Sequence, residues 1–276
     1  MSVPAGSAAP AGPAVAVVTG AASGMGRVAA QRLAAAGTEV AALDVDSDGL
    51  ADTARHSPSM YTFHCDVADS AAVTATVARI ESELGPIDRL VHAAGLCRIG
   101  AALEHEPSSL RQVLEINYLG TVHACQAVIP GMRRAGAGTV VLFGSLAGWL
   151  PSPRLAAYSA SKAAVAAYAE VLAQETAGTD ITVRCVCPGQ VNTPLADAVL
   201  AIDPGVLGGR NGAAPEEILD AVERELRDGR GRDNGSVFLF PGGSKLVWLA
   251  RRFMPGTLRA LVSRGVRPVG ERSPPR

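Results

Sequence analysis

The chain has 276 residues, 48% apolar, 4% aromatic and 18% charged, with 25 Lys and Arg against 26 Asp and Glu for a formal net charge of −1. That balance offers no general field to gather nucleic acid or an anionic surface. The composition is that of a packed globular protein rather than a disordered chain.

Residues 2–13 are rich in Ala, Pro and Gly and carry no Lys or Arg, so 1–13 reads as a floppy leader and not a signal peptide. No charge-free apolar run approaches ~18 residues, which argues against a spanning helix. Short β-branched or apolar runs then alternate with longer helical patterns: 15–19 then 24–36, 39–43 then 48–55, 60–65 then 70–84. The alternation continues as strand 89–92, helix 107–134, strand 139–143, helix 156–177 and strand 181–186, with a short closing strand near 237–240. Such βα repetition predicts an α/β, three-layer doubly wound (Rossmann) fold on a mainly parallel seven-stranded sheet. The nucleotide-binding domain is expected over 14–244, with an irregular Pro- and Gly-rich substrate loop at about 190–213 and a separate extension over 245–276.

Thr19-Gly20-Ala21-Ala22-Ser23-Gly24-Met25-Gly26 follows the first strand and opens the first helix. A dinucleotide pyrophosphate must there approach backbone amides and the positive helix end, which requires small residues. Gly20, Ser23, Gly24, Met25 and Gly26 are therefore candidate cofactor contacts. Asp44 ends the second strand, 18 positions beyond Gly26, where a carboxylate accepts ribose hydroxyls and repels a 2′-phosphate. NAD(H) is accordingly expected over NADP(H), with Arg27 the one residue that speaks for the phosphate.

Tyr158 and Lys162 stand four residues apart at the start of a helix and so share a face. A phenol titrating near ~10 needs neighbouring positive charge to act as a base at neutral pH, and an ammonium and a nicotinamide cation both push that way. Tyr158 then serves as general base in oxidation and general acid in reduction. Ser145, 13 residues upstream, emerges just past a strand end, where its hydroxyl suits the substrate oxygen or, read alone, a helix cap.

With these motifs the chain resembles the short-chain dehydrogenase/reductases, over about residues 14–240. The resemblance implies that Ser145 orients substrate, Tyr158 transfers the proton, Lys162 tunes the phenol and binds the nicotinamide ribose, and Asn117 completes a water-linked relay. It also implies that Asp66 and Val67 meet the adenine, that Ala94 and Gly95 lie on the adenosine ribose side, and that Pro188, Val191 and Thr193 cap the nicotinamide. His92-Ala93-Ala94-Gly95 departs from the family's usual Asn-Asn-Ala-Gly, which places local strand bracing in question. The implied activity is interconversion of a secondary alcohol and a ketone. A catalytically silent NAD-sensing protein of the same fold is the alternative.

The five histidines lack metal-ligand spacing, so no metal is expected. Five cysteines without a CxxC pair fit free thiols in a reducing cytoplasm, and Cys185 and Cys187 read as small core positions on one side of a strand. Residues 163–173 are apolar almost all round, which calls for burial on every side and points to a homodimer or homotetramer. The substrate loop offers Leu195, Val199, Leu200, Ile202 and Val206 but few charges, favouring a bulky apolar alcohol or ketone of steroid, terpenoid or polyketide type. Residues 245–276 hold eight basic side chains against Glu271 alone, a basic amphipathic stretch suited either to a membrane surface or to packing on the cleft or a sister subunit.

Overall fold

The computed structural model describes residues 14–55, 57–204, 206, 212–228 and 237–257; the leader at 1–13 and the tail beyond 257 lie outside the described residues. Seven strands form one sheet in the order β3-β2-β1-β4-β5-β6-β7, every neighbouring pair parallel. They are β1 (Val15–Thr19), β2 (Glu39–Asp44), β3 (Met60–His64), β4 (Arg89–His92), β5 (Ala137–Phe143), β6 (Asp180–Val186) and β7 (Phe238–Leu239). All five residues of β1 are buried, because helices cover both faces of a parallel sheet.

On one face α3 (Ser70–Leu84), α5 (Gly120–Ala135) and α6 (Ala156–Glu175) bury Ile80, Val128 and Val165 against Val17, Leu90 and Leu142. On the other, α1 (Gly24–Ala35), α2 (Ser47–Ala54) and α8 (Pro215–Arg227) bury Leu33, Leu50 and Leu219 against Val18, Val40 and Val91. Strand order reverses between β1 and β4, so the loops leaving these strands part and open a crevice at the C-terminal edge.

Three departures from the sequence expectations bear on that crevice. The expected helix 107–134 is divided into α4 (Pro107–Leu114), a π-helical turn at Glu115–Leu119, and α5. π-Turns often mark functional positions, and this one contains the fully buried Asn117. The expected irregular loop contains α7 (Pro194–Ile202), started by Pro194 and capped by Thr193, whose Oγ1 accepts from the Ala196 amide. Finally, α8 was hidden between Gly- and Pro-rich flanks, although its apolar Ile218, Leu219 and Val222 recur at helical spacing.

The expected all-round burial of residues 163–173 is not met within one chain. Ala163, Ala167 and Val171 form an exposed stripe on α6, because the sheet and neighbouring helices cover only its inner faces.

Candidate active site

The glycine loop is tight for a steric reason. Gly20 has φ +67, and a Cβ there would lie 2.6 Å from the Ala94 amide nitrogen; a Cβ on Gly26 would lie 2.1 Å from the Gly20 carbonyl. Backbone therefore packs on backbone, and the start of α1 is left open toward the crevice. Asp44 reaches this loop: Oδ2 accepts from the Ala22 amide at 3.0 Å and Oδ1 from the Asp46 amide at 3.1 Å. Arg27 is turned elsewhere, bonding Thr53 Oγ1 at 3.0 Å and the carbonyls of Ala22 and Gly49.

The crevice is a cleft of about 1410 Å³. One end is lined by Gly20, Ser23, Gly24, Met25, Gly26 and Asp44, with Asp66, Val67, Ala94 and Gly95 along its side. Ser145, Tyr158 and Lys162 line the same cleft beyond the end of β5, and Pro188, Val191 and Thr193 line it too, Thr193 against Gly24. These residues fit a dinucleotide: small backbone at the phosphate position, a carboxylate at the ribose position, and a volume exceeding one ordinary ligand pocket.

At the reactive end Ser145 follows β5, and its Oγ accepts from the Ala147 amide at 3.1 Å as the cap of a short 3₁₀ turn, Leu146–Gly148. The cap uses only an acceptor site of this hydroxyl, which can still donate. Burial pushes Tyr158 up to about 12, and Cys97 adds to the rise, while a hydrogen bond with Ser145 opposes it. Lys162 Nζ lies 5.8 Å from the Tyr158 ring centroid and donates to the Phe143 carbonyl at 2.8 Å. Its own burial brings the ammonium down to about 8. Desolvation by the polypeptide therefore dominates and raises the phenol, opposite to the direction expected from the lysine alone.

Asn117 is bound on every side. Its Oδ1 accepts from the Leu96 amide at 2.7 Å, and its Nδ2 donates to the Leu96 carbonyl and to Ser161 Oγ, both at 2.9 Å. Ser161 Oγ donates to the Tyr158 carbonyl at 2.8 Å. Asn117 thereby ties the loop after β4 to the start of α6. A Cβ on Gly95 would lie 3.5 Å from Asn117 Oδ1 and 3.6 Å from Lys162 Nζ, which places both at that loop.

His92 takes over bracing: its Nδ1 bonds Thr19 Oγ1 at 2.9 Å, and that oxygen accepts from the Ala94 amide at 3.2 Å. Cys185 in β6 and Cys187 just past its end face one side as expected, Sγ to Sγ 3.9 Å, against Gly144. No metal-binding cluster occurs among the described residues.

The outer cleft holds residues that no local signal marked. Leu96, Cys97, Leu150, Leu155 and Gln190 line it, and Arg154 Nη1 bonds Asp203 Oδ2 at 2.8 Å across its mouth. Arg154 has φ +68, the one positive value outside glycine among the described residues, and its carbonyl accepts from the Gly100 amide.

The sheet order and this site define a nicotinamide-dependent oxidoreductase of the doubly wound class. Residues 14–202 match the short chain dehydrogenase family, and the chain belongs to it. It is 35% identical over 242 residues to a D-threitol dehydrogenase of Mycolicibacterium smegmatis, covering 83% of this chain and 92% of that protein. Identity is 36% over 189 residues to a 2-(R)-hydroxypropyl-CoM dehydrogenase of Xanthobacter autotrophicus, covering 66% of this chain and 76% of that one. A solved actinorhodin polyketide ketoreductase with NADPH superposes with a TM-score of 0.76 at 30% identity, covering 83% of this chain and 96% of the other.

Proposed function

We propose that this protein interconverts a secondary alcohol and a ketone with NAD(H), Tyr158 exchanging the proton. The carrying observation is that Ser145, Tyr158 and Lys162 line the same cleft as the glycine loop and Asp44. The nicotinamide, when bound, supplies or accepts the hydride. Ser145 holds the substrate oxygen, Tyr158 passes a proton to or from it, and Lys162 presents its ammonium beside the phenol to favour the charged form. Asn117 braces Leu96 and, through Ser161, the Tyr158 turn; a relay role would run through its backbone. Asp66, Val67, Ala94 and Gly95 would hold the adenosine side, and Pro188, Val191 and Thr193 the nicotinamide.

NAD(H) is favoured by Asp44 at the ribose position and by the engagement of Arg27 away from it. The similar ketoreductase with NADPH makes cofactor choice the first thing to measure. Substrates that are bulky and apolar suit the Leu96, Leu150, Leu155, Val199 and Ile202 lining. A homodimer or homotetramer would cover the α6 stripe, and the five free cysteines suit a reducing cytoplasm. The test is NADH formation across steroid, terpenoid, polyketide and sugar alcohols. Best turnover on small sugar alcohols would overturn the apolar assignment.

A further inference from the structure

The charge of this chain is divided unevenly. Residues 245–276 carry +7, and with the whole at −1 the remaining 244 residues carry −8. The described start of the basic segment is α9 (Ser244–Phe253), which an ordinary surface helix would seat apolar side inward.

Here only part of the apolar side is seated inward. Trp248 stacks on Phe240 at 5.1 Å and meets Trp149 edge-on at 6.2 Å, while Ser244 Oγ donates to the Pro241 carbonyl. Away from that anchor, Leu246 and Phe253 lie seven residues apart along one stripe, with the half-buried Leu249 at its edge. Leu246 is 72% exposed and Phe253 75%, with Met254 beside them at 55%. Lys245 and Arg252 are exposed at the border of the stripe.

A stripe of Leu and Phe edged by cations is the pattern of a helix lying among lipid headgroups. Lys245, Arg251 and Arg252, with no acid among residues 245–257, select an anionic surface rather than a neutral one. A symmetric contact with a second copy through α9 would oppose like charges.

We propose that α9 docks the protein on an anionic lipid bilayer, with Leu246 and Phe253 entering the headgroup boundary and Lys245, Arg251 and Arg252 supplying attraction. Docking requires no turnover, so its outcome is independent of the oxidoreductase reading.

The test is flotation of the full chain with phosphatidylcholine vesicles, and with vesicles that also contain phosphatidylglycerol, at low and high salt. Binding should be at least about tenfold stronger to the anionic vesicles and weaken at high salt. Leu246→Ser with Phe253→Ser should lower it by about tenfold or more with an unchanged melting temperature, since both side chains are exposed. Lys245→Gln with Arg251→Gln and Arg252→Gln should remove part of the salt-sensitive share. No binding, equal binding to both vesicles, or undiminished binding by the Ser variant overturns the proposal. So does sedimentation showing self-association that the Ser variant abolishes, or preferential binding to soluble polyglutamate.

Discussion

Thr19 and His92 are joined side chain to side chain, Oγ1 to Nδ1 at 2.9 Å, across the C-terminal ends of β1 and β4. Burial, helped by the Lys162 charge, lowers the imidazole from 6.5 to about 3, so the ring is neutral in the folded protein at neutral pH. Between these values the unfolded chain holds a proton that the folded one lacks, and stability falls as pH falls through that window. Urea unfolding of His92→Leu should start ~1–3 kcal/mol lower, because Thr19 loses its partner. From about pH 7.5 to about pH 5 it should then lose about 2 kcal/mol less than wild type. Equal losses would mean that His92 titrates normally when folded.

Tyr158→Phe keeps the ring and removes the transferable proton. We expect kcat to drop ~100-fold or more with NADH affinity nearly unchanged. Because the polypeptide holds the phenol toward 12, oxidation, which needs the base, should quicken as pH rises, and reduction should not. Retention of more than about a tenth of kcat in the Phe variant contradicts the acid/base role.

Asp44 accepts two backbone amides and faces the cleft, so it braces the loop, and on our proposal it also sets cofactor choice. Wild type should prefer NAD(H), and Asp44→Ala should narrow or reverse the kcat/KM ratio between the two cofactors. A wild-type preference for NADPH would shift the discriminating role to another residue.

Arg154 clasps Asp203 at the C-cap of α7 while holding a left-handed backbone. The partly exposed pair contributes less than ~1 kcal/mol, and the strained backbone costs ~1 kcal/mol or more. Arg154→Gly should therefore melt close to wild type. Its KM for substrate should nevertheless rise several-fold, because the 151–155 loop and α7 are no longer tied. An unchanged KM would show that the clasp does not shape the substrate site.

Much of this was legible from periodicity. The strands β1 to β4 and the start of α1 fall where alternation and the glycine loop place them, because hydrogen-bond repeats and close backbone approach are local demands. The helix α8 is equally local, with Ile218, Leu219 and Val222 in register, yet it falls in a stretch to which the sequence reading assigns no element. Asn117 shows the opposite case. Its letters fit any helix, and only its bonds to Leu96 and Ser161, far away in sequence, show what it holds together.

The sequence by itself determined the βα order, the phosphate loop, the carboxylate after β2 and the shared face of Tyr158 and Lys162, all set within a few residues of chain. Tertiary structure decided which way Tyr158 titrates, since desolvation depends on everything packed around it. It decided also that Arg154 meets Asp203 across the cleft and that α9 turns Leu246 and Phe253 outward. Those outcomes depend on contacts between segments far apart in sequence, which local spacing does not encode.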